Sequence, residues 1–181
     1  MLKTRLVCSY DYTRKLNPNL SEEDWDKLVE TGKRFEPMYK KETPKIIGLI
    51  PRYTGFNWNE QGIEEIPIYL ANFNGPSRTN PITIKISNLE EMLLKVIHEL
   101  AHINMPNKFL RLNNDTYEDL VNQVTLKVTE EIGLNTSTVK IEKFREEILK
   151  KGAEVIDVKL DLMNVKSYFM CLNFVEQTSL S

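Results

Sequence analysis

The sequence predicts an α+β fold, built as one domain over residues 1–181. Short β-like runs dominate the first half of the chain, and helical patterns fill the block from 88 to 151. Strands followed by helices in this way are typical of the α+β class. With 181 residues, of which 41% are hydrophobic, the chain can bury one core of its own. We therefore expect a mixed or antiparallel sheet packed against helices.

The first half of the chain is predicted to hold four strands and one helix. "KTRLVCSY" alternates like a first strand, and a capped helix is predicted from Ser21 to Phe35, closed off by Pro37. Three β-like runs follow, separated by stretches rich in Gly, Asn and Pro, namely "KIIGLIPRY", "EIPIYLANF" and "PITIKIS".

The second half is predicted to be mainly helical. Helical periodicity covers residues 88–104, 115–132 and about 138–151. The remaining tail resembles two strands joined by a turn near Met163 and Asn164. This strand pair either completes the sheet or lies over a cleft.

Charge and cysteine content narrow the class of protein. A formal net charge of −2 gives no overall basic field to attract nucleic acid or an anionic membrane, so we expect neither partner. No apolar run approaches the roughly 20 residues that span a bilayer, and the N-terminus carries no evident secretion signal, which predicts a soluble cytoplasmic protein. For Cys8 and Cys171, two buried thiols are favoured over a bridge between them.

The stretch "HELAH" contains the only two histidines, His98 and His102. Asn88, followed three residues later by Glu91, predicts the start of its helix, and Pro106 lies beyond its end. One broad face is apolar and comprises Leu89, Met92, Leu93, Val96, Ile97, Leu100 and Ile103. Both histidines lie on the opposite face, one turn apart, so their side chains can converge on one metal ion. The alternative is a pair of histidines that face solvent.

H-E-x-x-H on a helix is a signature of zinc metalloproteases, so we predict Zn²⁺ as the cofactor, although Mn, Fe or Co can occupy similar sites. His98 and His102 are the predicted nitrogen ligands. Glu99 is the predicted general base, which takes a proton from the attacking water and passes it to the leaving amine.

The third ligand must be acidic, because no histidine remains. On the next predicted helix, Glu118 lies at the edge of the apolar stripe, whereas Asp119 should face water, so Glu118 is the better ligand. The alternative for Glu118 is a capping box with Asp115 as the N-cap.

"HELAH" followed by Glu118 in "EDLVN" resembles the gluzincin branch of the zincin metallopeptidases, and "YEDLVNQVT" is similar to the E-x-x-A-N segment of ImmA/IrrE-type zincins, with Val121 in place of Ala. The resemblance implies a small zincin-like domain whose sheet packs on the HExxH helix and a following glutamate helix. It also implies that Glu118 is a ligand and that Asn122 stands where many gluzincins have an Asp holding a zinc histidine. By analogy with the ImmA/IrrE group, it implies a regulatory role in which one partner protein is cut.

These residues predict a zinc-dependent endopeptidase acting on a polypeptide substrate. The strand at 81–87 is either the edge of the cleft, to which an extended peptide could add, or an inner strand. Tyr117, Arg111 and Tyr168 are candidates for stabilising the transition state. The alternative function is a zincin-like module that binds a partner without cleaving it.

Overall fold

The computed structural model describes residues 2–105 and 114–134, and within them the fold is a mixed α+β arrangement, as predicted. Four helices and a four-stranded sheet are present in this part of the chain, with one short 3-10 turn at Trp58–Gln61. In chain order they are β1 (Lys3–Cys8), α1 (Tyr10–Leu16), α2 (Glu22–Thr54), β2 (Glu65–Ala71), β3 (Arg78–Thr79), β4 (Ile82–Lys85), α3 (Leu89–Asn104) and α4 (Asn114–Glu131). The helix predicted at 138–151 and the C-terminal strand pair lie outside the described residues.

The sheet is mixed, with the strand order β1-β2-β4-β3. β1 pairs with β2 and β2 with β4 in parallel, whereas β3 pairs with β4 in the antiparallel direction. Of the two alternatives for the strand at 81–87, the inner position is therefore the correct one, because β4 lies between β2 and β3. The short strand β3 forms the edge instead.

The second helix differs most from the prediction. It continues far beyond Phe35, through Pro37, Pro44 and Pro51, so the β-like run "KIIGLIPRY" is helical and its prediction as a strand was wrong. The prolines are spaced seven residues apart, which places them on nearly the same side of the helix. Pro37 and Pro44 are exposed, so water can reach the carbonyls that they leave without a helical donor.

Pro51 removes a helical hydrogen bond closer to the interior. The carbonyl that loses its donor belongs to Ile47, four residues earlier, and Trp58 Nε1 donates to that carbonyl oxygen at 2.9 Å. The indole therefore replaces the missing bond. The helix then ends at Gly55, which adopts a left-handed φ of 77° and donates its N–H to the Pro51 carbonyl.

The short helix α1 was not predicted. Ser9 caps it by accepting a hydrogen bond from the Tyr12 N–H at 3.3 Å, so the first strand ends at Cys8 and not at Tyr10. Cys8 itself is exposed, which contradicts the prediction that it is a buried thiol, and Cys171 lies outside the described residues.

α3 and α4 pack against each other and against α2, and both follow the predicted bounds closely. Asn88 caps α3 as predicted, because its Oδ1 accepts from the Glu91 N–H at 2.8 Å. The predicted apolar face of α3 is the buried one, and its most buried members are Met92, Leu93, Val96, Ile97 and Leu100. The opposite face of α3 is left to line a cleft.

Among the described residues, no helix combines the length and the apolar character needed to cross a lipid bilayer.

Candidate metal centre

His98 and His102 face each other across one turn of α3. Their Nε2 atoms lie 3.1 Å apart, and their ring centroids are 4.7 Å apart. The side chains are only 25% and 11% exposed, respectively. The alternative of two solvent-facing histidines is therefore wrong, because both rings are largely withdrawn from solvent and point at the same position.

Glu118 brings its carboxylate to the same position from α4. Its Oε1 lies 3.4 Å from His102 Nε2, and its Oε2 lies 3.8 Å from His98 Nε2. The capping alternative does not describe this residue, because α4 begins at Asn114 and Asp115 lies inside its first turn instead of preceding it. Asp119, the neighbouring acid, is half-buried and is not part of the convergent group.

The three side chains form a group that could hold a metal ion, since their ligand atoms lie within 4.8 Å of one another. Four tetrahedral ligands about 2.0 to 2.1 Å from a zinc ion are separated from each other by roughly 3.3 Å. The separations of 3.1, 3.4 and 3.8 Å observed here bracket that value. Two imidazole nitrogens and one carboxylate also match the donor set of catalytic zinc sites.

Both imidazoles are held in the neutral form that a metal ligand requires. Burial lowers the pKa of His98 to about 4, helped by the proximity of His102 and opposed by the carboxylate of Glu118. Burial also lowers the pKa of His102 to about 4. At neutral pH, therefore, protons do not compete with a cation for these nitrogens.

Tyr117 contacts the ring of His102 on the side away from the other two site residues, at Nδ1. It is 9% exposed, its hydroxyl donates to the Met105 carbonyl at 2.8 Å, and the same hydroxyl lies 3.1 Å from His102 Nδ1. Because the hydroxyl proton is used by Met105, the oxygen can accept a hydrogen bond from Nδ1–H, which leaves the Nε2 lone pair facing the site. Tyr117 was predicted as a candidate for transition-state stabilisation, and the structure instead places its hydroxyl against the ring of His102. Arg111 and Tyr168 lie outside the described residues.

Asn122 does not make the hydrogen bond expected of it. Its Oδ1 is buried and has no hydrogen-bond partner among residues 2–105 and 114–134, so it accepts no bond from a histidine ring N–H in this part of the chain. The contact to His102 comes from Tyr117 instead, which precedes Glu118 in the sequence.

Glu99 follows His98 on α3, and its side chain lies between α3 and the edge strand β3. The residue is 5% exposed, and its Oε2 accepts a hydrogen bond from Thr79 Oγ1 at 2.5 Å. Burial raises the pKa of the Glu99 carboxyl, and the charge of Glu118 acts in the same direction, while the bond from Thr79 opposes both. Thr79 was not identified from the sequence, because "SRTNP" indicates only a loop.

These groups line one cleft of about 570 Å³ between α3, α4 and the edge strand β3. Glu99, the histidines and Glu118 form its inner wall, and residues 75–79 form the opposite side. Clefts of this size that contain convergent polar groups with shifted pKa values are typical of ligand and active sites.

Comparison of the chain with models of known protein families, with curated proteins and with solved structures found no match in any of the three.

Proposed function

We propose that this protein is a zinc-dependent peptidase of the HExxH type, with His98, His102 and Glu118 as the metal ligands and Glu99 as the general base. The observation that carries the proposal is the convergence of the three ligand atoms within 4.8 Å, beside a buried carboxylate in the same cleft. A purely structural metal site has no use for such a carboxylate. The proposal also assigns the chain to a zincin-like arrangement, with the sheet edge facing the histidine helix.

A divalent cation at this position would supply Lewis acidity, both to acidify a water molecule and to polarise a substrate carbonyl. The remaining chemistry belongs to the protein. Glu99 takes a proton from the attacking water and donates it to the nitrogen of the departing amine as the peptide C–N bond breaks. Its raised pKa suits this exchange, because a base is most effective when its pKa approaches the working pH.

Two neighbours position these groups. Thr79 donates to one oxygen of Glu99 and thereby orients the carboxylate, leaving its other oxygen for the water. Tyr117 holds the ring of His102 in the tautomer that presents Nε2.

A polypeptide is the proposed substrate, because β3 is an edge strand that runs along the cleft. An extended peptide can add to such an edge by main-chain hydrogen bonds, which would place its backbone carbonyls within reach of Glu99. A role in cutting one particular partner protein is part of this proposal.

The test compares wild type with Glu99→Gln, each loaded with zinc, on a mixture of peptides and unfolded proteins analysed by mass spectrometry. We expect Glu99→Gln to retain zinc and to cleave about 10²- to 10⁴-fold more slowly, because it loses the base and keeps the ligands. Glu90→Gln is the matched control, since Glu90 lies on the same helix outside the cleft and its substitution should leave the rate unchanged.

Chelation should abolish the cleavage seen with wild type. If Glu99→Gln cleaves as fast as wild type, or if the purified protein retains no zinc when zinc is supplied, the peptidase proposal is wrong. Zinc binding without any cleavage would instead favour the alternative of a module that binds a partner without cutting it.

A further inference from the structure

Lys95 lines the cleft and has no part in the proposed chemistry. It lies three residues before His98 and seven before His102 on α3, so the three side chains project from the same side of that helix. Its side chain is only 26% exposed, which withdraws it from solvent more than is usual for a surface lysine. A cationic group therefore stands in line with the two histidines, on the side of α3 that faces the cleft.

Two further cationic residues line the cleft, Arg78 and Lys85, but the strand register directs their side chains to the opposite face of the sheet. The hydroxyl of Thr79 contacts Glu99, so Thr79 faces α3 and its neighbour Arg78 points away. Lys85 lies three residues after Ile82, the cross-strand partner of Thr79, and by the same alternation it also points away. Among the described residues that line the cleft, the one cationic side chain on the side of Glu99 is thus the lysine of α3.

Two acceptors hold the ammonium group of Lys95 without using all of its hydrogens. Lys95 Nζ donates to Glu91 Oε1 at 2.8 Å and to Ser87 Oγ at 3.4 Å. These are its two partners in the part of the chain that the structure describes, whereas an ammonium group carries three hydrogens. Glu91 and Ser87 therefore fix the position of the amine, and one N–H remains for a ligand that enters the cleft.

The position of Lys95 along α3 sets its distance from the proposed reaction centre. Ser87 follows β4, so Lys95 lies at the end of the cleft where that strand ends. Glu99 lies four residues farther along α3, which corresponds to roughly 6 Å. An extended peptide advances about 3.3 Å per residue, so a chain with one carbonyl beside Glu99 reaches Lys95 about two residues away.

We propose that Lys95 determines specificity, by binding a carboxylate of the substrate about two residues from the peptide bond that lies beside Glu99. This inference rests on the proposed peptidase function and names the substrate class for that site. The carboxylate accepts the third N–H of Lys95, in a charge-assisted hydrogen bond that is stronger than a neutral one. An acidic side chain and the terminal carboxylate of a chain that ends there offer the same chemistry, and the experiment separates these two sources.

The experiment measures the binding of three peptides, each with fluorescein at its N-terminus, to the Glu99→Gln protein by fluorescence anisotropy. The first peptide is amidated and has glutamine at an internal position, the second is the same amide with glutamate there, and the third is the first peptide truncated after that glutamine with a free terminal carboxylate. We expect the second peptide, the third or both to bind about tenfold more tightly than the first. The preference should be present with zinc and with a chelator, and it should diminish at high salt.

Lys95→Gln should remove the preference, and Lys95→Arg should retain it because the positive charge remains. The matched control is Lys85→Gln, which changes the net charge equally in a residue of the same cleft whose side chain faces away, and it should keep the wild-type preference. Glu91→Gln removes the carboxylate that competes for the amine and should increase the preference, which a pair that only stabilises the helix would not do. Circular dichroism verifies that each variant is folded.

Tighter binding of the glutamate peptide alone assigns the ligand as an acidic side chain, and tighter binding of the truncated peptide alone assigns it as a chain terminus. Equal binding of the three peptides, no binding of any of them, or an equal loss in Lys85→Gln would overturn the inference. A preference that persists in Lys95→Gln and disappears with the chelator would assign the carboxylate to the metal, which also overturns it.

The two proposals fail separately. Cleavage that depends on Glu99, with no preference that Lys95→Gln removes, defeats this inference alone. A preference in binding that depends on Lys95, without any cleavage that depends on Glu99, defeats only the peptidase proposal.

Discussion

Tyr117 shows how a single hydroxyl can determine which nitrogen of a histidine is free. Its proton goes to the Met105 carbonyl at 2.8 Å, so its oxygen faces His102 Nδ1 as an acceptor at 3.1 Å. This arrangement favours the tautomer protonated at Nδ1, and it leaves Nε2 directed at His98 and Glu118. A hydrogen bond of this kind both orients a ligand and increases its basicity.

Replacing Tyr117 with Phe should weaken zinc binding by about 10- to 100-fold, which is the usual cost of losing a group that supports a ligand. The affinity can be measured by competition with a chromophoric chelator. Tyr69→Phe is the control, because Tyr69 lies on the opposite face of the sheet, against Tyr12, and should leave zinc affinity unchanged. Equal affinities of wild type and Tyr117→Phe would show that the hydroxyl does not act on His102.

The lowered pKa values of His98 and His102 predict how the metal-free protein responds to acid. An unfolded histidine takes up its proton near pH 6.5, whereas both folded histidines have a pKa of about 4. Between these values the unfolded state binds more protons, so stability falls as the pH falls and stops falling from this cause below about pH 4. We expect the pair to cost roughly 3 kcal/mol of unfolding free energy between about pH 7 and about pH 5.

This loss can be measured by urea unfolding in the presence of a chelator. Carboxylates titrate in the same range, so the relevant quantity is the difference from His98→Gln/His102→Gln, which lacks the two imidazoles. A variant whose stability falls with pH as steeply as that of wild type would contradict the assignment of the loss to this pair.

From the sequence, the relative positions of candidate site residues could be predicted only for residues that share one helix. His98, Glu99 and His102 share one helix, so their relative positions follow from helical periodicity. Glu118 was chosen from its position on the next helix, which gives direction but not distance. Thr79 and Tyr117 could not be assigned their contacts, because these depend on how β3 and α4 pack against α3, and a single sequence without a template does not specify that packing.

At the scale of elements, α2 shows where local signals mislead. Pro37 and a run rich in isoleucine predicted a helix end followed by a strand, yet the chain remains helical to Thr54. Buried residues recur at helical spacing through the whole element, at Leu28, Phe35, Tyr39, Ile46 and Ile50. Burial of that continuous stripe outweighs the cost of prolines on the exposed side. The strands β1, β2 and β4 were predicted well, because their β-like runs do not also carry a long apolar stripe at helical spacing.

The packing of α2 on β1 gives a prediction at this scale. A Cβ atom added at Gly32 would lie 3.0 Å from Cys8 Sγ and 3.4 Å from Leu70 Cδ1. Glycine inside a helix costs about 1 kcal/mol relative to alanine, so the substitution Gly32→Ala gains helix stability but crowds the thiol. In the Cys8→Ala background the crowding is relieved, and Gly32→Ala should stabilise the protein by about 1 kcal/mol more than it does in wild type.

A double-mutant cycle with chemical unfolding measures this coupling. The four proteins are wild type, Gly32→Ala, Cys8→Ala and the double variant. If Gly32→Ala changes the free energy of unfolding equally in both backgrounds, Cys8 Sγ does not crowd a Cβ atom added at position 32 and the prediction is wrong. A control substitution is Gly48→Ala on the same helix, where an added Cβ atom meets nothing within 4 Å and the background should make no difference.

For the whole molecule, the candidate site joins parts of the fold that are distant in sequence. α3 supplies His98 and His102, α4 supplies Glu118, and the sheet edge supplies Thr79 to orient Glu99. The core packs α3 against α4 on one side, whereas the carboxylate of Glu118 is 50% exposed on the cleft side. A cation bound there would connect the two helices where solvent now reaches, so metal binding and global stability should be linked.

Zinc should therefore raise the unfolding temperature of the protein. A ligand present at about 100 times its dissociation constant adds about 2.7 kcal/mol, which for a chain of this size corresponds to roughly 5 to 10 °C. Glu118→Ala should lose most of this shift, because it removes the only carboxylate that α4 contributes to the group that could hold the metal. Glu99→Gln should retain the shift, since Glu99 is proposed as a base and is not part of the group that could hold the metal. Differential scanning fluorimetry with increasing zinc measures all three proteins. An undiminished shift in Glu118→Ala would mean that the histidines bind zinc without α4, and loss of the shift in Glu99→Gln would make Glu99 a ligand instead of a base.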